Sequence, residues 1–285
     1  IMLHPHAWYQ DKGIKFIAQD PAVKIDRTRK VVHTEKGERI DYDRLIIATG
    51  SKPFIPPVQG ADLNGVISFR DIYDVNTMVK YCETKKNAVV IGGGLLGLEA
   101  AYGLKQRGMN VTVLHLMDRI MDRQLDKRAS EMLRHSIEQK GIQIITQANT
   151  EALLGKDGHV NQVRLKDGTI LDADLVIFAV GIRPNIALAQ SAGLRCHRGI
   201  LVNDTMQTFD PSIYAVGECI EHRGQTFGLV EPLWGQAFIC ATHLAEHGSL
   251  TFKSPTVPTQ LKVSGVDVFS AGRIDLEQSL SLIHI

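Results

Sequence analysis

The chain has 285 residues, with 32 Lys and Arg set against 31 Asp and Glu, a formal net charge of +1. No field of one sign exists to gather polyanions, which excludes nucleic-acid binding as its organising function. With 44% hydrophobic residues and no apolar run approaching ~18 residues, it reads as a folded chain of about two domains, neither disordered nor membrane-spanning.

The four cysteines, Cys82, Cys196, Cys219 and Cys240, are scattered without a CxxC pair. They argue against a disulfide framework or a zinc or iron–sulfur knot in this stretch, and fit a reducing cytoplasm. Ile1, Met2, Leu3 and His4 open the chain without the basic and apolar regions of a signal peptide and read as the interior of a longer protein. At the other end, residues 280–285 read as a non-native tail and are set aside.

In chain order, Ile14 to Ala18, Ala22 to Ile25 and Lys30 to His33 are short β-type runs, and Lys36-Gly37 offers a turn before Arg39-Ile40, so a meander is expected. Leu45 to Ala48 is a continuous apolar run ending in Thr49-Gly50-Ser51, as for a strand covered on both faces. Pro53, Pro56 and Pro57 then break regular structure, and a linker runs through Tyr81. From Lys85 the pattern becomes β-α-β: strand Ala88 to Ile91, helix Leu95 to Arg107, strand Val111 to Leu114. An amphipathic helix over Gln124 to Lys140 places Leu125, Ala129, Met132, Leu133 and Ile137 on one face, ahead of strand Ile142 to Ile145. A hairpin is expected at Asp167-Gly168, then a buried strand from Leu175 to Val180 before Gly181-Ile182-Arg183-Pro184. The last strand, Ile213 to Val216, leads through Gly217-Glu218 to a helix from about Leu233 to His247.

Gly92-Gly93-Gly94-Leu95-Leu96-Gly97 matches G-x-G-x-x-G directly after a strand and at the opening of a helix. In that context Gly92 makes the tight turn, Gly94 lets a pyrophosphate approach the backbone, and Gly97 lets helix and strand pack closely. The unpaired N–H groups at the helix start supply an anion site, so a dinucleotide is the expected ligand. The acid that usually reads the ribose hydroxyls about 20 residues on is replaced by His115, with Arg119 a helical turn further along. NADH and NADPH both stay compatible with that pair, and His115 can equally be a residue that simply ends its strand.

Two further motifs flank this unit. Leu45-Ile46-Ile47-Ala48-Thr49-Gly50 resembles the ATG strand of the FAD-dependent pyridine nucleotide oxidoreductases, and Ile213-Tyr214-Ala215-Val216-Gly217-Glu218 their second flavin motif. The order of ATG strand, glycine-rich turn, VGIRPN loop and YAVGE strand is itself similar to that family. The stretches GGGLLGLEAA, HLMDRIMDRQLD, YAVGECIEHRGQTFGLVEPLWGQA and LKVSGVDVFSAG resemble in particular the large subunits of assimilatory NAD(P)H nitrite reductases. The resemblance runs from about Trp8 to Gly272.

It implies an α/β fold with two Rossmann-like domains, the NAD(P)-binding one inserted into an FAD-binding one: residues 1–84 and 184–248 for FAD, 85–183 for NAD(P), and 249–279 opening a following domain. An N-terminal FAD-binding β-α-β should precede Ile1, and iron–sulfur and sirohaem modules should follow Arg273. The cofactors implied are FAD and NAD(P)H, with hydride passing from NAD(P)H to FAD and electrons going on to metal centres for nitrite reduction, so no side-chain nucleophile is needed. The partners implied are small-molecule nucleotides, acceptor domains in the same chain or a small redox protein, and a small subunit or a second copy.

Residue by residue, the family's FAD positions fall on Ala48, Thr49, Gly50, Arg70, Gly217 and Glu218, the last standing where most relatives have Asp. The helix start around Leu233, with Pro232 at its entry, would face the flavin pyrimidine edge. Gly92, Gly94, Gly97, His115, Arg119 and Gly181 go with the nicotinamide dinucleotide, and Glu99 is similar to a glutamate that lies near its nicotinamide. Glu99 also suits a first-turn acid, Arg70 an exposed arginine, and Trp234 either a cover for the flavin ring or ordinary core. Cys240, His243 and His247 share a helical face, yet no fourth ligand is evident, and packing explains that helix better than a metal. Alternatives to the nitrite reductase reading are a stand-alone reductase for rubredoxin, ferredoxin or nitrate reductase, and a nucleotide-binding regulator without turnover.

Overall fold

The computed structural model describes residues 4–255, 258–261, 265–272 and 274, so residues 1–3 and the suspected tail at 280–285 lie outside what is described. The chain forms two compact units: one from the described residues up to Ser51 plus Pro184–Ser254, the other from Lys52–Arg183 plus the described residues from Pro255 on.

The second unit is built on a five-stranded parallel sheet in the order Val66–Ser68, Leu175–Phe178, Asn87–Ile91, Asn110–Leu114, Ile142–Ile145. Its strands are apolar at successive positions because both faces are covered. Ala88 and Val90 point into a core with Leu98, Ala101 and Leu104 of the helix Leu95–Gln106 and with Leu133 and Ile137 of the helix Lys127–Gln139. Val89 and Ile91 point the other way, onto Leu153, Val163 and Leu165 of an antiparallel sheet formed by Thr150–Lys156, His159–Leu165 and Ile170–Asp172. Each fully buried Leu or Ile at these positions contributes ~1.5–3 kcal/mol relative to exposure. The helix over 127–139 starts where Asp126 accepts from the Ala129 N–H at 2.8 Å. Met132, expected on its buried face, is exposed, because its position falls at the edge of the apolar stripe centred on Leu133.

The stretch expected as linker contains the strand Val66–Ser68, at the edge of the parallel sheet, and the helix Ile72–Thr84. Asp71 caps that helix by accepting from Tyr73 and Asp74 N–H groups, and Asp74 reciprocates at the Asp71 N–H. This places residues 52–84 in the second unit and moves the boundary from the expected 84/85 to 51/52. The hairpin Thr259–Leu261/Val268–Ser270 joins the same unit, adding Leu261, Val266 and Val268 to its core, with the Ser270 hydroxyl donating to the Gln124 carbonyl.

In the first unit, Ala22–Asp26, Val31–Thr34 and Arg39–Asp41 form the expected antiparallel meander. Ile14 to Ala18 is not a strand, and a short helix, His6–Asp11, precedes it. Leu45–Ile47 pairs in parallel with Ile213–Ala215. Ile46, expected to be covered on both faces, is 46% exposed; among the described residues this pair forms a sheet of two strands. Beyond lie the strands Ile200–Val202, Ile220–His222 and Gln225–Thr226 and the helix Val230–Leu244, which begins earlier than expected. Ile47, Ile213, Ala215, Ile220, Ile239 and Cys240 share one core. Buried Glu221 accepts from the Arg198 and Gly199 N–H groups at 2.8 and 3.2 Å, and buried His222 places Nε2 2.8 Å from Asp204 Oδ1.

Candidate functional sites

In the second unit, the strand Asn87–Ile91 ends in the glycine turn. Gly92 has φ +125°, and a Cβ there would meet the Ala179 carbonyl oxygen at 2.3 Å, so only glycine fits. Gly97 packs so closely that a Cβ would lie 1.8 Å from the Gly92 carbonyl oxygen. Gly94 differs from both. It is the N-cap of the helix Leu95–Gln106, in an extended conformation open to any residue, and a Cβ there meets nothing within 4 Å. The turn therefore holds an open space against the first N–H groups of a helix, the place for a phosphate group.

His115 stands at the end of the neighbouring strand and is drawn into this turn. The Gly93 N–H donates to its Nδ1 at 3.0 Å, so Nδ1 carries no proton, and the Nε2–H faces Asp122 Oδ1 at 3.1 Å. His115 thus braces the glycine turn with both ring nitrogens. Arg119 donates to Asp118 at 3.2 Å and to the Leu125 carbonyl at 3.4 Å. Glu99 lies on the same helix as the turn, and burial pushes its carboxyl up from the ordinary range. Gly181 has φ +106°, and its carbonyl accepts from the Phe54 N–H at 2.9 Å. Arg70 belongs to this unit too, exposed just before the capping Asp71, with its N–H donating to Asp74 at 2.7 Å.

In the first unit, the ends of the two parallel strands are knit together. Ala48, Thr49 and Gly50 follow one strand, and Val216, Gly217 and Glu218 follow the other, with the Val216 N–H donating to the Ile47 carbonyl at 3.0 Å. Thr49 Oγ1 donates to the Asn185 carbonyl at 2.6 Å, and the Asn185 N–H returns a bond to the Gly50 carbonyl at 2.8 Å. Ser51 Oγ donates to Glu218 Oε2 at 2.7 Å, which holds that carboxylate at the mouth of the turn. Gly50 (φ +63°) and Gly217 (φ +92°) both face open space. Here too parallel strands end in open glycine turns, where ligands bind in α/β sheets.

The helix Val230–Leu244 starts after Leu229 without a side-chain cap. Pro232, in its first turn, has no N–H to offer, and Leu233 follows it at the helix start. Trp234 is exposed, not core. His243 Nδ1 lies 3.0 Å from the Tyr214 hydroxyl, and among the described residues no three His, Cys, Asp or Glu side chains gather to hold a metal ion. The four cysteines are free, and burial raises the thiol of Cys219 above its usual range and that of Cys240 to about 11. No described helix is long and apolar enough to cross a membrane.

Asp122, Ser51, Asn185 and Gln236 were not singled out from the sequence, although the Asn ending the VGIRPN loop offered a signal for one of them.

Residues 6–236 match the model of the pyridine nucleotide-disulphide oxidoreductases. The whole chain is 46% identical to the nitrite reductase [NAD(P)H] of Bacillus subtilis (strain 168), covering 35% of that protein. It is 41% identical, again over its whole length, to the assimilatory nitrate reductase electron transfer subunit of the same organism, covering 37% of it. The chain thus spans about a third of the length of these curated relatives. Among solved structures it is similar to the ferredoxin reductase for the CYP199A2 system from Rhodopseudomonas palustris, with a TM-score of 0.88 and 29% identity over 94% of this chain and 67% of that one. With its glycine turn, its two knit strand ends and a family match over most of its length, the chain belongs to the pyridine nucleotide-disulphide oxidoreductase family.

Proposed function

We propose that this chain is the FAD- and NAD(P)H-binding part of an electron-transfer flavoenzyme of the nitrite reductase large-subunit type, working in the cytoplasm. The observation that carries the reading is the open cradle at Gly94, between two glycines that admit no side chain, in a chain 46% identical along its whole length to a nitrite reductase.

The residues present fit both cofactors. For the nicotinamide dinucleotide, Gly92, Gly94 and Gly97 shape the pyrophosphate seat, His115 braces it, Gly181 opens the backbone opposite, and Glu99 offers a half-buried carboxyl to the nicotinamide amide. Arg119 and Asp118 border the ribose end. For FAD, Ala48, Thr49 and Gly50 line one strand end and Gly217 and Glu218 the other. The Glu218 carboxylate, oriented by Ser51, accepts from a cofactor hydroxyl. The first-turn N–H groups of the helix Val230–Leu244 favour negative charge on the reduced ring. When bound, FAD supplies the conversion of a two-electron hydride donor into single electrons. The protein's part is orientation and electrostatics. Iron–sulfur and sirohaem centres elsewhere in the full-length chain would be the acceptors of those electrons.

Steady-state oxidation of NADH and NADPH by the full-length protein, with ferricyanide and then nitrite as acceptor, tests this. Turnover with both acceptors is expected. Turnover with ferricyanide but none with nitrite would move the assignment to a reductase for a small redox protein, and stoichiometric nucleotide binding without any turnover would overturn it.

A further inference from the structure

The inward face of the helix Val230–Leu244 touches the strand Ile213–Ala215 at two heights. His243 meets the Tyr214 hydroxyl at 3.0 Å, and one strand-end further on Gln236 Oε1 accepts from the Gly217 N–H at 2.8 Å. Gln236 is 0% exposed. Because a backbone N–H can only donate, that bond fixes which end of the Gln236 amide is oxygen. It also fixes the place of Nε2, which is buried and has no acceptor.

A buried amide donor without an acceptor is costly, and each such group in a folded protein calls for an explanation. Holding the Gly217 N–H alone explains the oxygen and leaves the nitrogen unexplained. The other buried positions of the helix, Pro232, Ile239 and Cys240, bring no oxygen acceptor from their side chains. The group sits against the Gly217 turn, whose glycine faces open space and whose next residue, Glu218, is already oriented by Ser51.

We propose that Gln236 is an FAD-binding residue: its oxygen holds the Gly217 turn, and its Nε2 donates to an oxygen of the bound flavin dinucleotide. The inference rests on the flavin reading given above. One side chain then couples the position of the helix to the occupancy of the turn, and the empty turn leaves a donor unpaired.

The test uses the full-length apoprotein, stripped of FAD, with the dissociation constant read from quenching of flavin fluorescence. Gln236→Glu keeps an acceptor for Gly217 and removes the donor at neutral pH. It should bind FAD at least tenfold more weakly at pH 7.5 and recover part of that loss at pH 5.5, where a protonated carboxyl again donates, with the far-UV circular dichroism of the apoprotein unchanged. Gln236→Met removes both groups and should lose FAD affinity without recovery at low pH. Wild-type affinity in either variant would overturn the proposal, wild-type affinity in Gln236→Glu alone being the mark of a residue that only holds Gly217, and so would a loss in Gln236→Glu without acid recovery. A wild-type protein that takes up no FAD would overturn the flavin reading and this inference together.

Discussion

The carbonyl oxygen of Gly92 occupies the place where a side chain on Gly97 would begin, 1.8 Å from its ideal Cβ. The strand-to-helix turn closes only because that Cβ is missing. Gly94, three residues earlier, has free space around it, so the two glycines serve different ends.

Gly97→Ala should therefore damage the fold itself, and Gly94→Val only the ligand. For Gly97→Ala the turn must reopen, and a stability loss of about 1–3 kcal/mol is expected from the overpacking, read as a lower urea midpoint. Gly94→Val should keep the wild-type midpoint and weaken NAD(P)H binding about 100-fold, worth about 2.7 kcal/mol. NADH fluorescence titration checks it, and unchanged affinity would place the phosphate elsewhere.

His115 and Asp122 give a graded pair. His115→Leu strands the Gly93 N–H in a part-buried site and should cost about 1–3 kcal/mol together with nucleotide affinity. Asp122→Asn keeps an acceptor for the Nε2–H and should cost less than about 1 kcal/mol. Equal urea midpoints for the two variants would remove the bracing role.

Burial raises the Glu99 carboxyl pKa above its unfolded value of 4.5. The folded chain thus disfavours the charged form, and the penalty sets in as pH rises above the unfolded value. Glu99→Gln should make the apoprotein more stable at pH 7 and leave it unchanged below pH ~4. In the holoenzyme the same variant should lower kcat/KM for the reduced nucleotide about tenfold, the worth of one hydrogen bond to a charged group, with the flavin spectrum intact. A variant that is no more stable at neutral pH would contradict the burial argument.

Asp204 behaves oppositely. Hydrogen bonds from Arg223 and His222 hold its carboxyl down at about 2, below the unfolded 3.8. Its contribution is present above pH ~4 and is lost as pH falls through the folded value. The stability gap between wild type and Asp204→Asn, from urea melts, should be constant from pH 7 to 5 and shrink steadily between pH 4 and 2.5. A gap independent of pH would show that the ionic state of Asp204 does not matter.

Much of the second unit was legible in the sequence because its strands are buried on both faces and read as unbroken apolar runs, and because a glycine turn between strand and helix has few alternatives. The helix Ile72–Thr84 was missed. Its only buried residue is Met78, so hydrophobic periodicity says little there, and the reciprocal caps of Asp71 and Asp74 carried the signal. Ile46 misled in the other direction, since its neighbours look like a fully covered strand while the sheet around them has two strands among the described residues. Gln236 and Asn185 were missed for a different reason. Their roles come from partners in other elements, Gly217 and Thr49, and only the VGIRPN loop that ends in Asn185 marks either of them locally.

The pairing of Leu45–Ile47 with Ile213–Ala215 sets a timetable for biosynthesis. About 170 residues separate these strands, and at ~5–20 residues per second the ribosome needs roughly 10–30 s to deliver the second after the first. The intervening second unit emerges in that interval with four of its five parallel strands adjacent in sequence to their own helices or turns. The earlier strand meanwhile waits for its parallel partner while the intervening unit folds.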